Sequence, residues 1–363
     1  MQVAIVLGTR PEIIKMSPVI HELRRRGLAF TVVHTGQHYS EELDAVFFRQ
    51  LDLPAPDIRF HVGSGSHAEQ TSRILLATER FLRESPCDCL LVQGDTNTVL
   101  GASLAAAKMG VRLGHVEAGL RSGDNSMPEE QNRKIADCLS DLLFAPTEHA
   151  AGILRAEGKT PESIFVTGNT VVDALMRCKG RIPSRGDTLA RIGLEDVPYI
   201  ALTLHRPANV DRKHKLVQLL NALYRTADAL GMVVVWPTHP RARRMLEEFG
   251  FAVDNRMRLL PPLGYFEFLG LMSSARLILT DSGGVQEEAC ILGVPCVTLR
   301  DSTERPETLE VGSNMLAGSD GGRIIEAAEQ MLARPTAWEN PFGNGDAGKR
   351  IVDVLCSQYP AVG

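Results

Sequence analysis

Residues 277–288 read LILTDSGGVQEE, an apolar run that ends in a Ser-Gly-Gly turn and continues into a helix-forming run. The pattern predicts a strand, a tight turn and a helix, the repeating unit of a parallel sheet. Such a turn leaves backbone N–H groups at the positive end of the helix dipole, where proteins bind phosphate. Glu287 and Glu288 follow one turn later, where a carboxylate can hold sugar hydroxyls. The stretch fits either a nucleotide site or a tightly packed loop with a capped helix.

The same alternation of strand and helix patterns recurs along all 363 residues. It predicts parallel sheets with right-handed crossovers, a doubly wound α/β architecture, and the number of strands favours two Rossmann-like domains over one. We place the first domain at residues 1–170 and the second at 171–345, because a polar stretch at 181–187 precedes a fresh strand. The predicted strands are Val3–Leu7, Phe30–His34, Cys89–Gln93, Arg112–Val116, Ile164–Thr167, Tyr199–Leu204, Met232–Trp236, Leu277–Thr280 and Pro295–Leu299.

The composition excludes several classes of function. Hydrophobic residues make up 44% and charged residues 23%, and the net charge of -5 gives no reason to expect nucleic acid or an anionic membrane as partner. Seven scattered cysteines argue for a reducing compartment, and no signal peptide or membrane span is recognisable, so we expect a cytoplasmic protein. No spacing of a metal site occurs, and Gly63-Ser64-Gly65 does not complete a dinucleotide fingerprint. We expect neither a metal nor a cofactor.

Three carboxylates follow predicted strands of the first half, where doubly wound sheets bind their ligands. Asp95 either caps the next helix or acts on a ligand, and Glu117 either pairs with Arg121 or does the same. Glu129 lies in the first turn of a helix that starts near Pro128, as dipole rules alone would favour. Together the three favour a shared site.

Basic side chains also follow the predicted strands. Arg10 and Lys15 come after the first strand and can face a phosphate at the start of the next helix. In the second half, His205 and Arg206 directly follow a strand, and His239 follows the next one. These positions are consistent with an anion site.

At this point the sequence closely resembles the non-hydrolysing UDP-N-acetylglucosamine 2-epimerases. The matching segments span nearly the whole chain in the order and spacing of that family. They are GTRPE at 8–12, TGQH at 35–38, GDT at 94–96, HVEAGLR at 115–121, PEE at 128–130, TGNT at 167–170, DSGG at 281–284 and TERPE at 303–307.

The resemblance implies a GT-B arrangement of the two domains with UDP in the interdomain cleft, and a C-terminal helix within 346–363 that packs back toward the first domain. It assigns the sugar chemistry to Asp95, Glu117 and Glu129, with His205 at the diphosphate and counted among the catalytic residues. It assigns the UDP moiety to Arg10, Lys15, Leu263, Phe268, Ser282, Gly283, Gly284, Glu288 and Arg305. A second UDP-sugar that activates many bacterial members would correspond to Gln37, His38, Gln70, Arg206 and His239.

The implied reaction is reversible C2 epimerisation of UDP-N-acetylglucosamine, with elimination of UDP to 2-acetamidoglucal and re-addition. Alternatives are a diacetamido or uronic acid derivative as substrate, a hydrolysing epimerase, a retaining glycosyltransferase and an inactive UDP-sugar sensor. The sequence leaves open which carboxylate serves which face of C2. The family is commonly dimeric and supplies cell-surface polysaccharide synthesis, so the resemblance favours a homodimer with a UDP-sugar as its ligand.

Overall fold

The computed structural model describes residues 1–37, 41–194, 197–238 and 240–359. The chain forms two compact units, Met1–Arg177 with Phe342–Gly363 and Cys178–Pro341. Each is built on one parallel sheet. Among the described residues, no helix is both long enough and apolar enough to cross a membrane.

The sheet of the first unit has seven described strands in the order β3-β2-β1-β4-β5-β6-β7. They are β1 Gln2–Leu7, β2 Ala29–His34, β3 Ile58–Arg59, β4 Cys89–Gln93, β5 Arg112–Val116, β6 Leu142–Ala145 and β7 Ile164–Val166. Strands β4 and β6 are buried along their whole length. Helices cover both faces of such a sheet, so its most buried strands are nearly continuous apolar runs rather than alternating ones.

Helices connect these strands as crossovers, and one more follows β7. They are α1 Arg10–Arg25, α2 Glu41–Gln50, α3 His67–Glu84, α4 Asn97–Met109, α5 Pro128–Leu139, α6 Glu148–Ala156 and α7 Thr170–Cys178. Helix α4 packs against both α3 and α5. Helix α1 stops as its sequence predicts, since Gly27 takes a left-handed φ of 65° and Leu28 N donates to Leu23 O at 3.0 Å.

The second unit repeats the plan with six described strands in the order β10-β9-β8-β11-β12-β13. They are β8 Tyr199–Thr203, β9 Val233–Pro237, β10 Met257–Leu260, β11 Leu277–Thr280, β12 Cys296–Thr298 and β13 Asn314–Leu316. Its helices are α8 Arg185–Ile192, α9 Pro207–Val210, α10 Lys213–Leu230, α11 Pro240–Glu248, α12 Tyr265–Ser274, α13 Gly283–Leu292, α14 Pro306–Glu310 and α15 Gly321–Ala333.

The last helix, α16 Ala347–Gln358, packs on α1 within the first unit. The backbones approach so closely that a β-carbon on Gly348 would lie 2.8 Å from the Pro18 carbonyl carbon. Arg26 and Asp353 form an ion pair of 2.6 Å between the same two helices. A glycine is therefore required where α16 meets α1.

The prediction of two Rossmann-like, doubly wound sheets is confirmed. Both sheets have the strand order of that fold, with the first strand of each unit at the centre. Four strands were not predicted, namely β3, β6, β10 and β13. Three of them are short strands at or beside an edge, and β6 is a four-residue apolar run that periodicity cannot distinguish from a helix segment.

Candidate active site

Each sheet has a topological switch point, where the crossovers from two neighbouring strands leave in opposite directions. In the first unit it lies between β1 and β4, and in the second between β8 and β11. Ligands of doubly wound proteins bind outside the carboxyl ends of the strands at this point. The loops that begin at Gly8 and Gly94 meet there in the first unit, and those at Leu204 and Asp281 in the second. Four of the predicted polar residues lie on these loops, namely Asp95, His205, Arg206 and Ser282.

Glu117 is held by two buried donors in the first unit. Lys15 Nζ forms an ion pair with Glu117 Oε2, and Gln93 Nε2 donates to the same oxygen at 2.9 Å. Glu117 is 8% exposed and Lys15 6%. The alternative in which Glu117 pairs with Arg121 is wrong, because Arg121 binds Asp137 and Glu157 instead. Lys15, expected at a phosphate, lies beside a carboxylate that is assigned to catalysis.

The backbone at Glu117 is strained. Its φ is 71°, in the left-handed region that residues with a β-carbon rarely adopt. Such a conformation persists only where the surroundings determine it, and it occurs preferentially at functional sites. The amides of Glu117 and Ala118 both donate to Phe144 O at 3.1 Å, which fixes this turn against β6.

Asp95 forms an ion pair with Arg133, which is 3% exposed. Asn132 Nδ2 also donates to the backbone oxygen of Asp95 at 2.9 Å. The alternative of Asp95 as helix cap is wrong, because Thr96 is the N-cap of α4 and accepts from Thr98 N at 3.2 Å. The Asp95 side chain is 28% exposed, so it is anchored on one side and open to a ligand on the other.

Glu129 lies at the second position of α5 and is partly exposed. Among the described residues its carboxylate has no hydrogen bond or ion pair. The neighbouring Glu130 is fully buried and accepts from Ser122 N at 2.8 Å and Ser122 Oγ at 2.9 Å. Burial raises the pKa of Glu130, but the bonds from Ser122 and Arg133 outweigh it and the net pKa is lowered. Glu130 is therefore a structural carboxylate, and Glu129 is the reactive candidate of the pair.

Glu12 is another buried carboxylate, and it lies at the switch point of the first unit. Its Oε2 accepts from the amides of Gly8 at 2.6 Å and Thr9 at 2.7 Å, and its Oε1 accepts from Thr96 Oγ1 at 2.5 Å. It thus joins the loop after β1 to the loop after β4. Burial is the largest influence and raises the pKa of Glu12 from 4.5 to about 7, although these hydrogen bonds lower it.

We expect Glu12→Gln to flatten the pH dependence of stability. A folded-state pKa above the unfolded value gives stability that is present below about pH 4.5 and is lost as the pH rises through about 7. At about 1.4 kcal/mol per pKa unit, the loss is about 3 kcal/mol. Glutamine keeps an acceptor for the two amides and no longer titrates. The melting temperature of Glu12→Gln should therefore fall less than that of the wild type between about pH 5 and pH 8.

Glu69→Gln is the matched control, because Glu69 holds the same capping-box position on α3 but is exposed. Its pKa is lowered, chiefly by the hydrogen bond from Ser66 N, so its effect lies at lower pH. Parallel melting curves of wild type and Glu12→Gln between about pH 5 and pH 8 would contradict the role given to Glu12.

The remaining predicted residues of the first unit lie near these loops. The Arg10 guanidinium stacks 5.4 Å from the Phe47 ring centroid. Gln70 Nε2 donates to Gln37 O at 3.3 Å, and Gln37 Oε1 accepts from Thr98 Oγ1 at 2.9 Å. Gln37 and Gln70, predicted together as activator contacts, are therefore adjacent. His38 and His239 lie outside the described residues.

Asp281 organises the switch point of the second unit. It is fully buried and accepts from Arg206 N at 3.0 Å, Asn209 Nδ2 at 3.0 Å and His205 Nδ1 at 2.8 Å. Burial raises the pKa of Asp281, but His205 and the other donors outweigh it and hold the pKa below its usual value. The ionised Asp281 must accept, so Nδ1 of His205 carries the proton. With 55% of its side chain exposed, His205 offers Nε2 to a ligand.

The Ser-Gly-Gly turn starts α13 with Ser282 as N-cap. In the described chain, the amides of Gly283 and Gly284 have no hydrogen-bond acceptor. A β-carbon on Gly283 would lie 2.2 Å from Glu304 Oε1, so glycine is required there. Glu304 is held by Arg300 at 2.8 Å and lies 3.8 Å from the Arg206 guanidinium. The predicted anion site is thus a helix N-terminus with two arginines nearby.

The other predicted nucleotide contacts lie around α12, α13 and α14. Glu288 is 9% exposed and accepts from Tyr265 OH at 3.2 Å. Arg305 is buried and forms an ion pair with Glu287. Leu263 and Phe268 are partly buried, just before and within the first turn of α12. Arg305 and Glu288 are therefore both largely buried and held by side chains of their own unit.

Sequence reasoning missed the residues that support this site. Glu12 and Asp281 stood within quoted segments but were given no role, and Gln93, Arg133 and Asp137 were passed over. One signal existed on α5, where Glu130, Arg133 and Asp137 recur at the spacing of a single helix face. Within the described residues, His, Cys, Asp and Glu side chains do not gather in threes as a metal site would need.

Comparisons with known proteins agree with the family resemblance that the sequence motifs indicate. The sequence profile of a family described as UDP-N-acetylglucosamine 2-epimerase matches residues 21–356. The chain is 48% identical to a UDP-N-acetylglucosamine 2-epimerase of Methanococcus maripaludis, over 98% of each chain. It is 36% identical to a UDP-2,3-diacetamido-2,3-dideoxy-D-glucuronate 2-epimerase of Pseudomonas aeruginosa, over 98% of this chain and 99% of the relative.

Among solved structures, the Methanocaldococcus jannaschii UDP-GlcNAc 2-epimerase in complex with UDP-GlcNAc and UDP superposes with a TM-score of 0.93. The two sequences are 46% identical, and the match covers 98% of this chain and 100% of the other.

Proposed function

The chain belongs to the UDP-N-acetylglucosamine 2-epimerase family, a family of isomerases, and from this premise we propose that it interconverts UDP-N-acetylglucosamine and UDP-N-acetylmannosamine. The observation that carries the proposal is the near-complete match to a chain solved with UDP-GlcNAc and UDP. The two switch points support it, because one offers an anion site and the other offers carboxylates.

The second unit is assigned the nucleotide. The amides of Gly283 and Gly284 and the nearby arginine side chain of Arg206 stabilise the diphosphate, and His205 Nε2 reaches it as a hydrogen-bonding group. A helix end contributes about 0.3–2 kcal/mol and a charge-assisted hydrogen bond about 1.5–3 kcal/mol. Micromolar binding needs about 8 kcal/mol. Several of these contacts therefore have to act together, with Glu288 on the ribose hydroxyls.

The first unit is assigned the sugar. C2 has no adjacent carbonyl to acidify its proton, so direct abstraction would leave an unstabilised carbanion. If UDP leaves C1 with the bonding electron pair, removal of the C2 proton completes an elimination to 2-acetamidoglucal. Re-addition of UDP at C1 and protonation of the opposite face of C2 give the epimer. Asp95, Glu117 and Glu129 are the proposed proton-transfer and charge-stabilising groups.

We expect epimerisation in deuterated water to place deuterium at C2 of the UDP-sugar, because the proton that is removed exchanges before another returns. Proton NMR of the C2 resonance measures the exchange directly. Product that retains the original hydrogen would exclude the elimination. A UDP-sugar that is incubated in deuterated water without the protein serves as the control for spontaneous exchange.

The same NMR assay separates the alternatives when it is run with a panel of UDP-sugars. The Pseudomonas aeruginosa relative makes a UDP-diacetamido uronic acid the necessary second substrate in the panel. Stoichiometric release of UDP would indicate a hydrolysing epimerase instead. Binding of UDP without turnover of any sugar would indicate a sensor.

A further inference from the structure

Helix α5 carries an unusual buried polar face. Glu130, Asn132, Arg133 and Asp137 are between 0% and 5% exposed. Buried polar groups cost free energy unless they are hydrogen-bonded, and each of the four side chains makes at least one hydrogen bond, although Glu130 Oε1 makes none among the described residues. Their partners are concentrated in the loops after β4 and β5, which carry Asp95 and Glu117. This face of α5 therefore holds the two loops rather than forming part of the apolar core.

Asp137 reaches both loops. Its Oδ1 is 2.6 Å from His115 Nδ1, and His115 Nε2 is 2.8 Å from Gly94 O, next to Asp95. The other oxygen, Oδ2, accepts from Gly119 N at 3.1 Å, two residues after Glu117, and from Arg121 at 2.7 Å. One carboxylate is thus linked to the backbone beside each of the two proposed catalytic carboxylates.

His115 connects Asp137 to the loop after β4. A carbonyl oxygen only accepts, so His115 Nε2 donates to Gly94 O. Burial raises the pKa of Asp137, but His115 and Arg121 outweigh it and hold that pKa below its usual value. His115 thus makes hydrogen bonds through both ring nitrogens, at Gly94 O and at Asp137 Oδ1, and its side chain is fully buried.

Glu117 depends on such support because its φ of 71° is disfavoured for a residue with a β-carbon. Phe144 O fixes the amide of Glu117 on one side, and Asp137 fixes the amide of Gly119 on the other. Gly119 itself has a φ of 85°, so the turn contains two left-handed residues. If the contact from Asp137 is lost, the turn can relax and move the Glu117 carboxylate.

We propose that Asp137 is a positioning residue for the epimerase reaction, acting through His115 on the Asp95 loop and directly on the Glu117 loop. It touches neither proposed catalytic carboxylate. The inference rests on the proposed function only for the roles of Asp95 and Glu117. The network of hydrogen bonds can be tested without any assumption about activity.

The kinetic test uses Asp137→Asn in the full chain. An amide places a donor against His115, Gly119 or Arg121, so at least one link is lost. We expect kcat to fall about 100-fold, since a displacement of about 1 Å at reacting groups costs that much, with KM and the Kd for UDP within about threefold. Asp353→Asn is the control, because it makes the same change in an exposed ion pair of the first unit. The proposal would be overturned if Asp137→Asn had the wild-type kcat, calculated per protein molecule that binds UDP.

The second measurement is nitrogen NMR of protein labelled at its 10 histidines. The His115 ring, identified by its proximity to Gly94 in NOE spectra, should show an Nδ1 signal shifted by its hydrogen bond to Asp137 in the wild type, and this signal should move in Asp137→Asn. An Nδ1 signal that is the same in both proteins would overturn the network. If the ring behaves as expected but the wild type turns over no UDP-sugar, the proposed function fails while the network stands.

Discussion

Glu117→Gln is expected to reduce epimerase turnover by about 10²- to 10⁴-fold, the usual contribution of a general acid or base. Glutamine keeps the shape of the side chain and an oxygen that can accept from Lys15 and Gln93, but it cannot exchange a proton with C2. UDP affinity should stay close to that of the wild type, because seven of the nine residues assigned to UDP lie on the second unit. Initial rates by NMR and calorimetric titration with UDP measure the two effects separately.

Glu117 forms a buried ion pair with Lys15, so Glu117→Gln is also expected to lower the stability of the fold. Removing one partner of a buried pair costs about 3–5 kcal/mol when the other charge is left without compensation. The double variant Lys15→Met with Glu117→Gln removes both charges, so it should recover most of the stability while turnover stays lost. Glu79→Gln, which disrupts a partly exposed ion pair with Arg83, is the control with no expected loss of turnover. Near-normal turnover of Glu117→Gln would remove Glu117 from the mechanism.

The sequence was sufficient to predict the central strands of both sheets. Strands buried on both faces are continuous apolar runs, and β4, β5 and β11 begin and end where the sequence predicts. The edge strands were different. Ile58–Arg59 and Asn314–Leu316 are two and three residues long, too short for any periodic signal. They are strands because a neighbouring strand supplies their hydrogen bonds.

The positions of the site residues could be predicted, but their partners could not. A parallel sheet gathers whatever follows its strands, so Asp95, Glu117 and His205 were recognisable from strand ends alone. The two local alternatives, a helix cap at Asp95 and a pair of Glu117 with Arg121, used only sequence neighbours. The ion-pair partners of these two residues, Arg133 and Lys15, are 38 and 102 residues away in sequence. Tertiary packing decided both contacts, and single-sequence rules do not describe it.

Gly284→Asp is expected to weaken UDP binding about 100-fold while slightly stabilising the protein. A β-carbon on Gly284 meets nothing within 4 Å, so the side chain can be accommodated, unlike at Gly283. The new carboxylate lies at the second position of α13, where an acid interacts favourably with the helix dipole by about 0.3–1 kcal/mol. Replacing glycine inside a helix adds a further contribution of up to about 1 kcal/mol. Both effects should raise the melting temperature.

The same carboxylate would repel the diphosphate and compete with it for the amides of Gly283 and Gly284. Losing one or two charge-assisted hydrogen bonds amounts to about 3 kcal/mol, or about 100-fold in Kd at about 1.4 kcal/mol per tenfold change. Gly284→Ala is the uncharged control, with a larger gain in helix propensity and no carboxylate. Calorimetric titration with UDP and thermal melting, both at one salt concentration, measure the two effects.

The opposite signs make this pair of variants decisive, because a variant that had lost UDP binding through misfolding would also melt earlier. Weak UDP binding together with a raised melting temperature would therefore assign the diphosphate to the Ser-Gly-Gly turn. Wild-type affinity of Gly284→Asp for UDP would mean that the turn only caps α13. In that case the cationic side chain of Arg206 and the exposed ring of His205 would have to hold the diphosphate elsewhere on the second unit.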